Sequence, residues 1–430
     1  MSNTPKTFCN YPWKHLYVQT TGHFKVCCLS PEHITKNDGY HQYNLSKDKI
    51  SDSWNSNYMI ETRKKMLAGE RLDICKRCYD LEDRGIKSMR NVKDYEHYKA
   101  ITVDGKVNNK IEQLELHFGN VCNLACKMCS QQYSHKIGEE LLKIGDKEPG
   151  FVEWLKKQGG VVNNWTSELG IVYDWFKNPK TKNDIFNYVS DNVSDLNVVG
   201  GEPTAIKEFY ELLEFCFQKD TLQKKTVTLT TNLTNTNPKM ITWLKKVKMM
   251  GIYGSVDGIG DVNDYIRYPS KWPVIERSLK FYADIMKTND RCRMTIGPTF
   301  QSLNIHSVVD TVHYVEQFEK QHDIAVDVWW TGVVTGPRIC DYSVLPDEYK
   351  KSVAKKLQDS LHKVDKVDNK KQIESHIKSL HESNDKSMPF KKETLQSFIK
   401  YNDLQDKHRA GITWRNLLPG LEKSIDSFLG

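Results

Sequence analysis

From Ile111 to Phe318 the chain alternates strand-like segments with helix-like ones, and this alternation restricts the fold more than any other feature. Leu114, Leu116 and Phe118 alternate with Glu115 and His117, the period-two pattern of a strand. Further strands are expected at Asp195–Val199, Thr226–Thr231, Ile252–Val256, Arg293–Phe300 and Ala325–Trp330. Helices are expected between them at Lys207–Phe217, Pro238–Val247, Pro273–Met286 and Ile305–Phe318. Strands that alternate with helices build a parallel α/β sheet. Six such units make an open, TIM-like partial (β/α)6 barrel, with right-handed crossovers as the default.

The flanking regions follow other patterns. His15–Thr20 and Phe24–Leu29 surround Thr21-Gly22, which reads as a β-hairpin with glycine at its turn. A helical stretch follows at Tyr58–Leu67. Residues 1–105 are expected to form a small α+β domain, 106–335 the barrel, and 336–430 a lysine-rich helical extension. An insertion at about 146–180, carrying Trp154, Trp165 and Trp175, is expected to form a cap. The C-terminal lysines read as a solvated helix face.

Composition bounds the class. A hydrophobic fraction of 38% and a charged fraction of 27% fit a soluble globular enzyme rather than a disordered chain. The net charge of +7 is mild for 430 residues and leaves nucleic-acid binding open without favouring it. No apolar run is long enough to span a membrane, and no N-terminal stretch resembles a signal peptide. The expectation is a cytoplasmic protein, in which eleven cysteines stay reduced. Clustered cysteines in such a compartment point to metal rather than disulfides. Those here are Cys9, Cys27, Cys28, Cys75 and Cys78, then Cys122, Cys126 and Cys129.

The second cluster follows the first barrel strand as Cys122-Asn-Leu-Ala-Cys126-Lys-Met-Cys129. A [4Fe–4S] cluster normally takes four thiolates; this loop supplies three and leaves one iron open to another ligand. A structural zinc site is the other reading of such cysteines, but it usually closes four ligands and favours C-x2-C pairs.

From Ile111 to Phe318 the sequence resembles the radical S-adenosylmethionine (SAM) superfamily, in the C-x3-C-x2-C loop and in Gly200-Gly201-Glu202-Pro203 after the second strand. The resemblance implies that Cys122, Cys126 and Cys129 hold a SAM-cleaving [4Fe–4S] cluster. It implies that Gly200, Gly201 and Glu202 receive the SAM amino group, the glycines allowing close approach of the chain. Thr230-Thr231-Asn232 and Ser255-Val256-Asp257 end the next two strands. In relatives these places bind the SAM ribose and carboxylate, which marks Thr231, Asn232, Ser255 and above all Asp257; turn and cap chemistry is the competing reading. Arg267 is a candidate guanidinium fork for the SAM carboxylate, with a solvent-exposed arginine as the alternative reading. Met128 stands where many relatives carry an aromatic residue, and its thioether fills similar space.

Cys9, Gly22 and Cys27, with Pro12-Trp13 and the tandem Cys27-Cys28, resemble the opening of the SPASM and twitch auxiliary-cluster domains. Cys75-x2-Cys78 adds a second pair. The resemblance implies one auxiliary [4Fe–4S] cluster on Cys9, Cys27, Cys75 and Cys78, with Cys28 as spare; a zinc on four thiolates has the same spacing. In most relatives this domain follows the barrel, whereas here it precedes it.

The function implied is an oxidoreductase or maturase that cleaves SAM to a 5′-deoxyadenosyl radical, which takes hydrogen from a peptide or protein. A flavodoxin- or ferredoxin-type donor would supply the electron. Radical modification of a nucleotide, sugar or other small molecule is the alternative. A non-enzymatic cluster- or zinc-bearing RNA-binding protein is the reading from another class, although no aromatic-plus-basic run supports it. Cys216, Cys292 and Cys340 read most simply as core residues, since free cysteine is commonly buried. Cys340, after the sixth strand, is also a candidate hydrogen-atom donor.

Overall fold

The computed structural model describes residues 4–83, 87–157, 169–329, 333–334, 336–381 and 388–430. The chain divides into two compact units. The first comprises Met1–Val121, Val172–Leu229 and Lys239–Met250, and the second Cys122–Ile171, Thr230–Pro238 and Gly251–Gly430.

In the first unit β1 (His15–Val18) and β2 (Phe24–Lys25) form the expected antiparallel hairpin, with Tyr17 opposite Lys25. Gly22 turns it at φ +85, a conformation open mainly to glycine. A small hairpin follows, β3 (Thr102–Val103) with β4 (Lys106–Val107). Then come β5 (Gln113–Phe118), β6 (Asp195–Gly200) and β7 (Thr226–Thr231). The sheet order is β2-β1-β5-β6-β7, and all pairings except the hairpin are parallel. The sequence suggests a boundary near residue 105, yet strand pairing runs across it: His15–Val18 lie in parallel register with Gln113–Leu116. The hairpin buries Leu16 and Val18 completely, and that apolar strand is what lets it extend the sheet.

The apolar alternation of β5 does what the sequence expects. Leu114, Leu116 and Phe118 are buried, and Phe118 meets Trp175, Phe176 and Phe209. Helices Pro179–Asn192 and Lys207–Gln218 supply Ile185, Val189, Leu212 and Leu213 to the same core.

β8 (Met249–Gly254) begins in the first unit and ends in the second, which continues with β9 (Cys292–Ile296) and β10 (Val326–Val328). Strand β10 is parallel to β9, and Gly297 N–H donates to Gly254 at 2.9 Å. The expected strand at Ile252–Val256 thus starts three residues earlier and stops at Gly254. The expected Arg293–Phe300 strand stops at Ile296, because Thr299 N–H turns to the Asp257 carboxylate. Helices Trp272–Thr288 and Val308–His322 match their amphipathic patterns, whereas Lys239–Leu244 is shorter than expected. Residue 330, the end of the last expected strand, lies outside the described residues.

The rest of the second unit is helical, as the sequence expects: Asp347–Ser360, Val367–His381, Met388–His408 and Leu421–Leu429. Among the tryptophans of the insertion, Trp154 packs on Phe151 in the second unit. Trp175 donates to Thr20 in the first, and Trp165 lies outside the described residues. No helix of the described residues is long and apolar enough to cross a membrane.

Candidate cluster and cofactor sites

In the second unit the three-cysteine loop is pinned through its backbone. Ala125 N–H donates to Tyr268 at 2.7 Å and Lys127 N–H to Ile266 at 2.8 Å. Cys129 N–H closes a turn on Cys126 at 3.0 Å. Ser134 caps the helix His135–Lys147, and its hydroxyl donates to Leu124 at 2.6 Å. Cys122 N–H donates to Nδ1 of His135 at 3.2 Å. Leu124, with Met128 beside it, packs among the three cysteines. Burial pushes the Cys129 thiol up, and the nearby Cys126 and Cys122 sulfurs add to this. Burial also raises Cys126, with Arg267 and Arg409 opposing. Three neighbouring thiols on an apolar bed, with guanidinium charge beside them, fit an anionic cluster held by thiolates.

The predicted SAM ligands of this unit gather around two pairs. Oδ2 of Asp257 lies 2.8 Å from Nε of Arg267, and both side chains are buried. Oδ1 accepts from Thr299 N–H at 2.9 Å. Burial raises the Asp257 pKa, and the Arg267 charge pulls it back. Asn232 donates to Asn123 in the cysteine loop at 2.9 Å, and its Nδ2 is 4.0 Å from Sγ of Cys122. Thr231 is buried and its hydroxyl accepts from Leu233 N–H. Ser255 N–H donates to Thr231 at 2.8 Å and leaves the Ser255 hydroxyl half-buried.

Cys340 sits in the core, the simpler of its two expected places. It ends the short helix Arg338–Cys340, is 2% exposed, and packs among Ile137, Leu141, Ile339 and Tyr401. Its thiol faces the Lys127 carbonyl at 3.6 Å, and burial pushes it up to about 12.

In the first unit, Gly200 ends β6 at φ +127, and a Cβ there would lie 2.8 Å from Phe118 N. A Cβ on Gly201 would lie 2.0 Å from the Val121 carbonyl oxygen, to which Glu202 N–H also donates at 2.8 Å. Both glycines are therefore required by close backbone approach. The Glu202 carboxylate is buried and accepts from the Thr204 hydroxyl at 2.6 Å and Thr204 N–H at 3.0 Å.

The N-terminal cysteines converge in that same unit. Cys9, Cys27, Cys28, Cys75 and Cys78 line one cavity with Met66, Met89, Arg77 and Arg90. The hairpin delivers Cys27 and Cys28, while Cys75 caps the helix Lys76–Glu82 and Cys78 sits in its first turn. Burial pushes Cys75 up to about 12, and Cys9, Cys27 and Cys78 add to it. Cys27 rises to about 11 by burial, with Cys9 and Cys78 adding. Cys28 rises to about 12 by burial, but its next largest influence is Glu115. All five thiols thus line one cavity, and Cys28 differs in that Glu115 is the charge that raises it most after burial. Among the described residues no three histidine, cysteine or carboxylate groups meet closely enough for a single metal ion.

Two groups of polar residues were not singled out by sequence reasoning. Glu115 on β5 lies between His117, at 3.1 Å, and His15, at 3.9 Å. The strand alternation shows that Glu115 and His117 share a face, but not that β1 brings His15 to it. Lys127, within the cysteine loop, is buried and bonded to Asn402 and Asp406. No local pattern could announce partners so distant in the chain.

The radical SAM superfamily model matches residues 116–315, and the SPASM model, an iron–sulfur cluster-binding domain, matches residues 9–79. Comparison with curated proteins gives no match. Among solved structures, 26 chains match. Streptococcus suis SuiB bound to precursor peptide SuiA is 14% identical over 61% of this chain and 54% of that one, with a TM-score of 0.31. Native anSMEcpe with bound AdoMet is 16% identical over 58% and 60%, with a TM-score of 0.36. The chain thus spans little more than half the length of either. A radical SAM domain implies a [4Fe–4S] cluster and SAM, and a SPASM domain implies an auxiliary iron–sulfur cluster. The chain thus carries an N-terminal SPASM domain over residues 9–79 followed by a radical SAM domain over residues 116–315.

Proposed function

We propose that this protein is a radical SAM enzyme that takes a hydrogen atom from a peptide or protein substrate. The observation that carries this reading is the pinned loop of Cys122, Cys126 and Cys129, with the Asp257–Arg267 pair and Asn232 in the same compact unit. When bound, the cluster and SAM supply reductive cleavage of the sulfonium to methionine and a 5′-deoxyadenosyl radical.

The chain's own residues position and shield. Cys122, Cys126 and Cys129 would hold the cluster by three thiolates and leave one position for SAM. Arg267 would fork onto the SAM carboxylate, and Asp257 and Asn232 would serve the ribose. Burial of Leu124, Asp257 and Arg267 keeps water from these groups and strengthens their electrostatics. Cys9, Cys27, Cys75 and Cys78 would hold the auxiliary cluster, and Cys28 would stay free. A peptidyl substrate is favoured because families with such auxiliary domains often act on peptides and proteins.

Incubation of the anaerobically reconstituted, reduced protein with SAM and deuterated candidate peptides tests this. Deuterium in 5′-deoxyadenosine identifies a peptide substrate. Deuterium transfer only from nucleotides or sugars refutes the peptide assignment, and no SAM cleavage at all refutes the activity.

A further inference from the structure

The helix Met388–His408 lies outside both family matches, yet its side chains reach the cysteine loop. Arg409, just beyond its end, donates through Nη2 to the Ala125 carbonyl at 2.5 Å and pairs with Glu140 at 2.9 Å. Its guanidinium also lies 4.7 Å from the Tyr268 ring centroid. Asp406 accepts from Nζ of Lys127 at 3.3 Å and from the Tyr265 hydroxyl at 2.8 Å. Asn402 accepts from Lys127 at 3.1 Å, and the Tyr401 hydroxyl donates to the Lys127 carbonyl at 3.3 Å. Lys127 and Arg409 are buried, and the Lys127 ammonium stands 4.0 Å from the Tyr265 ring centroid.

These contacts touch two segments that are already joined. Ala125 and Lys127 bond through their backbones to Tyr268 and Ile266, and Arg267 lies between those partners. Each segment therefore carries a group assigned above to the cofactors, and one helix holds both.

We propose that Arg409, Asp406 and Tyr401 are positioning residues that clamp the three-cysteine loop and the Arg267 segment into one rigid cradle. The clamp works through carbonyls and the Lys127 side chain. It rests on the reading that Cys122, Cys126 and Cys129 hold a cluster. Partners that orient metal ligands typically change metal affinity by about 10- to 100-fold when removed.

The test compares iron release to a chelator from anaerobically reconstituted full-length wild type, Arg409→Gln, Arg409→Lys and Tyr401→Phe. Electron paramagnetic resonance (EPR) of the reduced samples identifies which cluster remains. In Arg409→Gln the loop's iron should leave about 10-fold faster or more, while the auxiliary iron leaves at the wild-type rate. Arg409→Lys, which keeps the charge but not the fork, should fall between. The auxiliary cluster is the internal control, because general loosening would release both sets together. Unchanged release in folded Arg409→Gln, or parallel loss from both sites, overturns the proposal. Should Arg409→Gln not fold, Tyr401→Phe decides, since it removes one hydroxyl: selective acceleration supports the clamp and an unchanged rate overturns it. Cys126→Ala separates the two readings. If that variant keeps both clusters, the assignment of the loop has failed; if it loses one while the clamp variants match wild type, only the clamp has failed.

Discussion

Asp257 and Arg267 stand 2.8 Å apart with both side chains almost wholly buried, so each charge depends on the other. Removing one partner of a buried pair commonly costs about 3–5 kcal/mol, whereas replacing both costs far less. Arg267→Gln should therefore destabilise the protein markedly, and Asp257→Asn added to it should restore part of the loss. Urea denaturation of the two single variants and the double variant measures this coupling. Additive losses would show that the pair is not linked in the folded protein.

The five N-terminal cysteines should not be equivalent. After burial, Cys75 is raised most by Cys9, Cys27 and Cys78, while Cys28 is raised most by Glu115. Iron and sulfide analysis should find about eight irons in the wild type if both sites carry [4Fe–4S] clusters. It should find about four in Cys75→Ser/Cys78→Ser and an unchanged content in Cys28→Ala. Loss of iron in Cys28→Ala would make Cys28 a ligand.

Gly201 has no room for a side chain, since its Cβ would lie 2.0 Å from a backbone oxygen. Gly201→Ala must displace the turn that carries Glu202, at a cost of about 1–3 kcal/mol for forced overpacking. Thermal unfolding should show the loss, and calorimetric titration should show weaker SAM binding with the iron content intact. Wild-type stability and SAM affinity together would remove the close-approach argument for this glycine.

The barrel core was legible because strands β5, β6 and β7 announce themselves by local apolar pattern, and the two cysteine sets by close spacing. Residues whose meaning depends on distant chain were not legible. His15 meets Glu115 only through the parallel pairing of β1 with β5. Arg409 reaches Ala125 across 284 positions, in a segment whose composition suggests only a solvated face. Cys340 was legible in its simpler reading, a free cysteine in the core, where Ile339 and Tyr401 pack around it.

Acid should weaken the second unit through His306. Burial lowers this imidazole to about 4, with the Lys356 charge adding to the effect. An unfolded histidine titrates near 6.5, so between about pH 6.5 and 4 the unfolded chain binds a proton that the folded chain refuses. Stability from this group is complete above that window and falls as pH drops through it, by up to about 3 kcal/mol. Urea denaturation at pH 7.5 and 5 should show a smaller acid loss in His306→Gln than in wild type. Equal losses would exclude His306 as the source.

The most direct measurement is SAM cleavage in cysteine variants, with dithionite as reductant and 5′-deoxyadenosine as the product counted. Folded Cys75→Ala/Cys78→Ala should retain slow cleavage, because its open cluster position belongs to the other loop. Cys126→Ala should lose cleavage along with about four irons. Continued formation of 5′-deoxyadenosine by Cys126→Ala, with loss of that cluster confirmed by EPR, would contradict the assignment of Cys122, Cys126 and Cys129 as the SAM-cleaving site.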